Sequence, residues 1–348
     1  MKRLIYFILS MCLFSCSQQE KSIYDKAYVF NTKNFVETIS LEGTTLKLNN
    51  EVMRPIDIQV YDTLLITIEL SSDKLLHIYN LQNGEKIGER VNRGQGPNDM
   101  IVPHFMENNG NSIQILDMGK STIYQYDIKE FINNPNPIAS KKISLEKQAF
   151  INAQQIDNSF ICYSYDLNKQ LYVYNMNGKK INEIAELPSS SIEYTDVEKR
   201  DAFYMNFTSN NKDKIVICYC MTDLIEIYNS NGTLQHRLHG PEQFIAHFKE
   251  NHANGTVTSS PKKNVNRDAY FTPRNAGNSF FVLFDGTYVD DTNKEMSCKQ
   301  LFSFSWNGKP EKIFNLNIPL ITYAVDNTKR KIYGISDKPD FHIVVYNY

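Results

Sequence analysis

This 348-residue sequence predicts an all-β fold, a six-bladed β-propeller with four antiparallel strands per blade. Three observations carry the prediction. A short aromatic strand closing on Tyr-Asn or a near variant occurs six times: Ile78-Tyr79-Asn80, Tyr124-Gln125-Tyr126-Asp127, Val173-Tyr174-Asn175, Ile227-Tyr228-Asn229, Phe302-Ser303-Phe304-Ser305 and Val345-Tyr346-Asn347. Tyr79, Tyr126 and Tyr174 are separated by 47 and 48 residues, the length of a four-stranded blade rather than a short solenoid coil. The last repeat lacks a fourth strand, while residues 35–48 near the N-terminus are strand-like and have no place in the first repeat.

The elements follow in order. Unit one reads as strands at 56–61, 63–70, 75–80 and 86–91, unit two at 101–106, 112–117, 122–127 and 138–145, and unit three at 150–156, 159–165, 170–175 and 180–187. Asn83-Gly84, Asn177-Gly178, Asn231-Gly232 and Asn307-Gly308 follow third strands and supply the positive φ angles of tight hairpins. From Tyr228 to Phe304 the spacing stretches to 76 residues. We read 242–267 and 286–297 as insertions in the fifth unit. Unit six has strands at 320–326, 331–335 and 342–347, and residues 35–48 are expected to complete it, because an open ring would expose edge backbone. The alternative is an open solenoid with a free N-terminal arm.

The N-terminus reads as an address. Lys2-Arg3 precede an apolar stretch, Leu4 to Phe14, too short for a membrane span. Leu13-Phe14-Ser15-Cys16 resembles the bacterial lipobox, which implies removal of residues 1–15, acylation of Cys16 and a polar tether over 16–34 leading to a propeller at 35–348. More than one acyl chain gives a stable anchor, so the membrane is the first expected partner. Ser17 after Cys16 favours the outer membrane, on an unspecified side. The formal charge of −2 becomes −4 once Lys2 and Arg3 are removed, which argues against nucleic acid as a partner. Cys162, Cys218, Cys220 and Cys298 read as buried thiols; Cys218-Tyr219-Cys220 is too tight for an unstrained disulfide.

Crossovers from fourth strand to next first strand, and turns between second and third strands, share one face of a propeller. Both insertions fall in these loop types. So does Arg93-Gly94-Gln95-Gly96-Pro97-Asn98-Asp99, echoed by His239-Gly240-Pro241-Glu242. An acid stands near the end of each second strand: Glu69, Asp117, Asp166, Asp223, Asp285 and Asp337. The run from Gly94 to Asp99 resembles the G-x-G-P-x-[ED] crossover of TolB-like six-bladed propeller lipoproteins of Gram-negative gut bacteria. The lipobox, the Tyr-Asn strand ends and the chain length are similar too. The resemblance spans nearly the whole chain and implies the fold and an envelope location. It implies no reaction, because most members have no assigned activity.

Local motifs add little chemistry. The glycines after Arg93 permit an anion loop, but a tight crossover turn is the preferred reading, and no Lys-Ser/Thr or helix follows. His236 and His239 would point to opposite faces of a strand, so they read as surface histidines rather than metal ligands. The stretch Asp285 to Asp291 has oxygen donors for Ca²⁺ but not the spacing of a known loop, so a solvated hairpin is preferred. Neither G-x-S-x-G nor H-E-x-x-H occurs. The expected function is therefore a lipid-anchored envelope binding or scaffold protein. Its crossover face would present Arg93, Asp99, Glu242, His247, Arg267, Tyr270 and Asp290 to a glycan, peptide or protein, with no cofactor expected. A calcium-dependent hydrolase or lactonase using the axial channel is the alternative.

Overall fold

The computed structural model describes residues 21–107, 110, 112–146, 149–165, 169–253, 255–291 and 297–348. Cys16, residues 1–15 and Asp166 lie outside the described residues. Six sheets form the ring. Blade 1 is Pro55–Tyr61, Leu64–Glu69, Lys74–Asn80 and Lys86–Asn92; blade 2 is Pro103–Phe105, Ser112–Asp117, Thr122–Asp127 and Lys141–Ser144. Blade 3 is Phe150–Ile156, Ser159–Ser164, Leu171–Asn175 and Lys180–Ile184; blade 4 is Met205–Ser209, Lys214–Tyr219, Leu224–Asn229 and Leu234–His239. Blade 5 is Tyr270–Ala276, Ser279–Phe284, Cys298–Ser305 and Pro310–Leu320, and blade 6 has Thr322–Asp326, Lys331–Ser336 and His342–Asn347. First strands of neighbouring blades touch around the axis.

Alternation decides which core each residue joins. Ile215, Ile217 and Tyr219 face blade 3, whereas Val216 and Cys218 on the same strand face blade 5. A strand buried on both faces reads as continuous apolar sequence, as Lys214–Tyr219 does. All four described cysteines are free and buried, as expected of packing thiols.

The repeated phrase has a two-part explanation. Its aromatic ring fills an inter-blade core: Tyr79, Tyr126, Tyr174, Tyr228, Phe304 and Tyr346 are all buried. Its polar residue starts the outer turn. Asn80 Oδ1 accepts from Gln82 N–H at 2.8 Å, and Asn175 Oδ1 from Asn177 N–H and Lys179 N–H at 3.0 and 3.1 Å. In blade 2, where no Asn-Gly follows, Asp127 instead caps a short helix, Ile128–Asn133, accepting from Glu130 N–H at 3.0 Å. The chain then reaches the blade's outer strand late, at Lys141 rather than 138.

Closure by the N-terminal strand is observed, with a change of extent. Only Thr44–Thr45 pairs with the last strand, opposite Val345 and Val344, and Leu46 N–H adds a bond to Ile343 O at 2.8 Å. The rest of the expected strand serves another blade, since Glu37–Leu41 adds a fifth, parallel strand to blade 5. Upstream, Tyr28–Val29 adds a parallel strand to blade 4. Residues 22–48 thus form a belt over the outer edges of blades 4, 5 and 6, and the expected boundary at residue 35 falls inside it. The belt is held by buried aromatics that the tether reading treated as linker: Tyr24 and Phe30 are almost fully buried. Blades 1, 2 and 3 keep open outer edges. Those edges carry Lys86, Lys141, Lys142 and Lys180, a common device against edge-to-edge pairing.

The turn glycines record the ring order. Each has positive φ and sits against the outer strand of the preceding blade. A Cβ on Gly178 (φ +79°) would lie 2.1 Å from Ser144 O of blade 2; one on Gly84 (φ +74°) would lie 2.2 Å from Lys47 O. Residues 47 and 48 therefore occupy the place of an outer strand next to blade 1, which is independent evidence of closure. Gly178→Ala is expected to lower stability by about 2–3 kcal/mol, combining left-handed strain and overpacking. Gly255→Ala, with a similar φ but open space around it, should cost only about 1 kcal/mol. Urea titration of both variants checks this; equal losses would mean that the inter-blade contact contributes nothing.

Candidate functional site

The recurring acids turn out to organise the crossover face. Glu69 Oε2 accepts from Met53 N–H at 3.0 Å, and Asp117 from Ile101 and Val102 N–H, both at 3.0 Å. Asp223 Oδ2 accepts from Glu242 and Gln243 N–H at 2.8 and 2.7 Å. Glu69 and Asp117, ending second strands, tie down the crossovers that enter their own blades, whereas Asp223, in the turn before the third strand of blade 4, ties down the crossover that leaves it for blade 5. His239, expected at the surface, is buried and lies 3.3 Å from Asp223. Among the described residues no three His, Cys, Asp or Glu side chains converge as a metal site.

The predicted residues fall into two groups and one exception. In the first group the loop from Arg93 to Asp99 is spent on its own closure. Asp99 Oδ2 accepts from Gly96 N–H at 3.0 Å, and a Cβ on Gly94 or Gly96 would lie 2.7 or 2.5 Å from that oxygen. Lys120 donates to Gly96 O and Asp99 O, and Lys142 to Pro97 O and Asn98 Oδ1, all within 2.6–2.8 Å. The glycines admit Asp99 rather than an external anion, so the turn reading holds. The Arg93 side chain is exposed and has no hydrogen-bond or ion-pair partner among the described residues.

In the second group Glu242 and Arg267 meet, while Asp290 and His247 are fixed on the same two insertions without touching that pair. Arg267 Nη2 lies 2.6 Å from Glu242 Oε2, and its Nε donates to Gly286 O at 2.7 Å. The guanidinium lies over Phe244 at 4.5 Å and Tyr288 at 5.7 Å from the ring centroids. Asp290 accepts from Asn264 N–H at 3.0 and 3.1 Å, pinning the 285–291 loop to the other insertion. His247 N–H donates to buried Asn266 Oδ1 at 2.7 Å; burial and nearby Lys262 hold its imidazole pKa below the ordinary value. Tyr270 is the exception and corrects the surface assignment. It is the first residue of blade 5, fully buried, and its hydroxyl donates to Gly240 O.

Three features here escaped the sequence reading. Phe244 and Tyr288, the rings flanking Arg267, were not singled out; Tyr288 is 48% exposed. The insertion at 242–267 contains a hairpin, Phe248–Ala253 with Thr256–Pro261. That hairpin packs on a helix, Asp196–Ala202, in the blade 3 to blade 4 crossover. Glu250 N–H donates to Glu198 Oε1 at 3.1 Å, and Ser259 Oγ to Val197 O at 3.3 Å. Thr195-Asp196-Val197-Glu198 is a capping box legible in the sequence.

Polar side chains meet across the centre of the ring. Arg274 Nη2 lies 2.7 Å from Asp57 Oδ1, and its Nε donates to Tyr323 O at 3.1 Å. Glu107 Oε1 accepts from Thr208 Oγ1 at 2.8 Å and Asn275 N–H at 3.1 Å, while Glu107 N–H donates to Gln154 Oε1 at 2.7 Å. These six blades' worth of partners cross the axis. Burial works to raise Asp57, but Arg274, His104 and the Ile58 N–H outweigh it and hold the carboxyl below its ordinary pKa. For Glu107 burial wins, and its pKa is raised despite Arg274, Thr208 and the Asn275 N–H. A polar cavity of about 340 Å³ opens beneath this plug, lined by Gln59, Glu107, Asn275 and Lys329 among others.

Comparisons agree with this architecture. The family model described as TolB-like 6-blade propeller-like matches residues 30–328. A Bacteroides vulgatus member of the DUF4221 family is similar in structure, with TM-score 0.56 and 8% identity over 88% of this chain and 95% of that one. A Bacteroides fragilis protein described as exported gives TM-score 0.50 and 12% identity over 92% and 99% of the two chains. Raptor from Chaetomium thermophilum gives TM-score 0.50 and 8% identity, over 87% of this chain and 28% of that one. At such identities the likeness is one of fold. Comparison with curated proteins gives no match.

Proposed function

Because the chain belongs to the TolB-like six-bladed propeller family, a scaffold and binding fold, we propose that it is a lipid-anchored envelope protein. It would bind a glycan, peptide or protein partner through the crossover face over blades 4 and 5. The arrangement around Arg267 carries the reading: a guanidinium preorganised between Phe244 and Tyr288 and joined to Glu242, on a loop that Asp290 pins to Asn264. An exposed ring beside fixed charged groups offers an apolar surface and directional hydrogen bonds at little entropic cost. Insertions elaborate this one sector, which a plain spacer would not need.

Anchoring through Cys16 and residence at the outer membrane belong to the same proposal. Cys16→Ala is expected to move the protein from the membrane fraction to the soluble one; retention in the membrane would refute the anchor. No helix among the described residues is long and apolar enough to cross a membrane.

Arg267→Ala should weaken partner binding by about 2 kcal/mol, roughly thirtyfold, with the fold unchanged. A glycan array or envelope pull-down comparing wild type, Arg267→Ala and Arg93→Ala checks this. Binding by Arg267→Ala equal to wild type sinks the site, whereas loss on Arg93→Ala moves it to the blade 1–2 crossover. The calcium-dependent hydrolase gains no support from the acids that motivated it: Glu69, Asp117 and Asp223 are occupied by backbone N–H groups.

A further inference from the structure

The place where the N-terminal segment becomes part of the fold limits how an anchored molecule can stand. Ser22 Oγ meets His239 Nδ1 at 2.8 Å, and Tyr24 packs edge-on against the same imidazole at 4.9 Å between centroids. The Tyr24 hydroxyl bonds Thr222 Oγ1 at 3.0 Å, and Arg237 Nη1 donates to Asp25 O at 2.5 Å. From Ser22 onward the chain is therefore fixed to blade 4. Cys16 stands six residues earlier, and six residues, even fully extended, reach only about 20 Å. A compact chain of this length has a radius of gyration of about 20 Å, so it is about 50 Å across. The link is shorter than the molecule is wide.

We propose that the outer rim of blades 4 and 5, covered by belt residues 21–36, rests against the lipid bilayer. The propeller would stand on its edge with its axis in the membrane plane. This rests on the lipid-anchor reading given above. The outward residues of the belt suit such a surface. Lys21, Lys26 and Lys33 are exposed, with Asp25 the acid within residues 21–36 and Glu37 just past them, in a chain whose overall charge is negative. Tyr28 is 44% and Val36 74% exposed. Lysine heads reach phosphate while an aromatic ring and a short aliphatic chain sit at the headgroup boundary. Lysines also line the open edges of blades 1 to 3, so charge alone does not choose among the rims; the link length selects the side of blade 4, and the exposed lysines, Tyr28 and Val36 of the belt select its rim. An edge-on stance leaves the crossover face uncovered, with Arg267 near the membrane and open sideways.

The full acylated chain, reconstituted in vesicles of phosphatidylethanolamine and phosphatidylglycerol, allows a direct test. All four cysteines described in the fold are buried, so a single surface cysteine can be labelled selectively. Val36→Cys places a fluorophore on the belt. Ile138→Cys, where the native side chain is 62% exposed, places one on blade 2, across the ring from blade 5. A lipid carrying a headgroup quencher is expected to quench the Val36→Cys probe several-fold more than the Ile138→Cys probe. Equal quenching, or more at position 138, overturns the rim assignment while the anchor stands. A mature chain whose mass shows no acyl groups at Cys16 overturns the anchor, and the stance with it.

Discussion

Replacing Arg274 by methionine is expected to destabilise the propeller by about 3–5 kcal/mol, the cost of leaving buried carboxylates without their counter-charge. Arg274 is paired with Asp57 at 2.7 Å, and both side chains are less than a tenth exposed. Its loss also leaves Tyr323 O without the Nε–H donor that now reaches it. Methionine fills much of the volume, so the effect reports charge rather than a cavity. Urea denaturation at neutral pH measures it, and a loss below about 1 kcal/mol would mean the axial network is ornamental.

The pH dependence has a definite sign. Asp57 has a lowered folded pKa, so its contribution is present above the unfolded carboxylate value and is lost as pH falls through the folded one. Glu107 has a raised pKa and acts oppositely, lowering stability as pH rises from its unfolded value toward its folded one. Removing Arg274 takes away what holds Asp57 down, so the deficit of Arg274→Met should shrink on acidification. The triple variant with Asp57→Asn and Glu107→Gln should recover part of the loss at neutral pH.

Phe30→Ala should cost a similar amount, about 3–5 kcal/mol, from a site that sequence reading placed in a linker. The Phe30 ring is 1% exposed and meets Phe304 at 5.6 Å and Phe35 at 6.0 Å between centroids. Its carbonyl touches Gly240, where a Cβ would lie 2.1 Å away. Thermal unfolding measures the loss. Hydrogen exchange localises it: amides of residues 22–41 should lose protection first, while those of blades 1 and 2 keep theirs. A variant as stable as wild type would show that the belt is held by its strand pairing alone.

The ring and its strands were legible because both faces of every blade are buried, which forces a dense, regular apolar pattern. The closing strand was legible as a surplus at one end and a deficit at the other. Its true extent was not. Residues 35–48 read as one strand, yet Glu37–Leu41 and Thr44–Thr45 serve different blades; Gly43 between them, packed against Tyr346, marks the break but not the new partner. Tyr24, Tyr28 and Phe30 were the available warning, since three aromatics within seven residues are poor company for a free tether. The candidate site was half legible. Loop length singled out Glu242, Arg267 and Asp290, whereas Phe244 and Tyr288 are defined by a cross-loop contact to Arg267 that spacing does not encode. Tyr270 was misplaced because a first-strand residue beside a long insertion looks like loop from the sequence alone.

The belt reverses the order in which the polypeptide is made and used. Thr44 and Thr45 leave the ribosome early, but their partners Val345 and Val344 follow only after the six blades between them have been made. Until the last blade emerges the closing segment has nowhere to go, and its neighbours wait for blades 4 and 5. Ring formation should therefore be a late, slow event dominated by contacts distant in the chain. A nascent protein caught before it would present an unsealed sixth sheet, a natural target for holding chaperones.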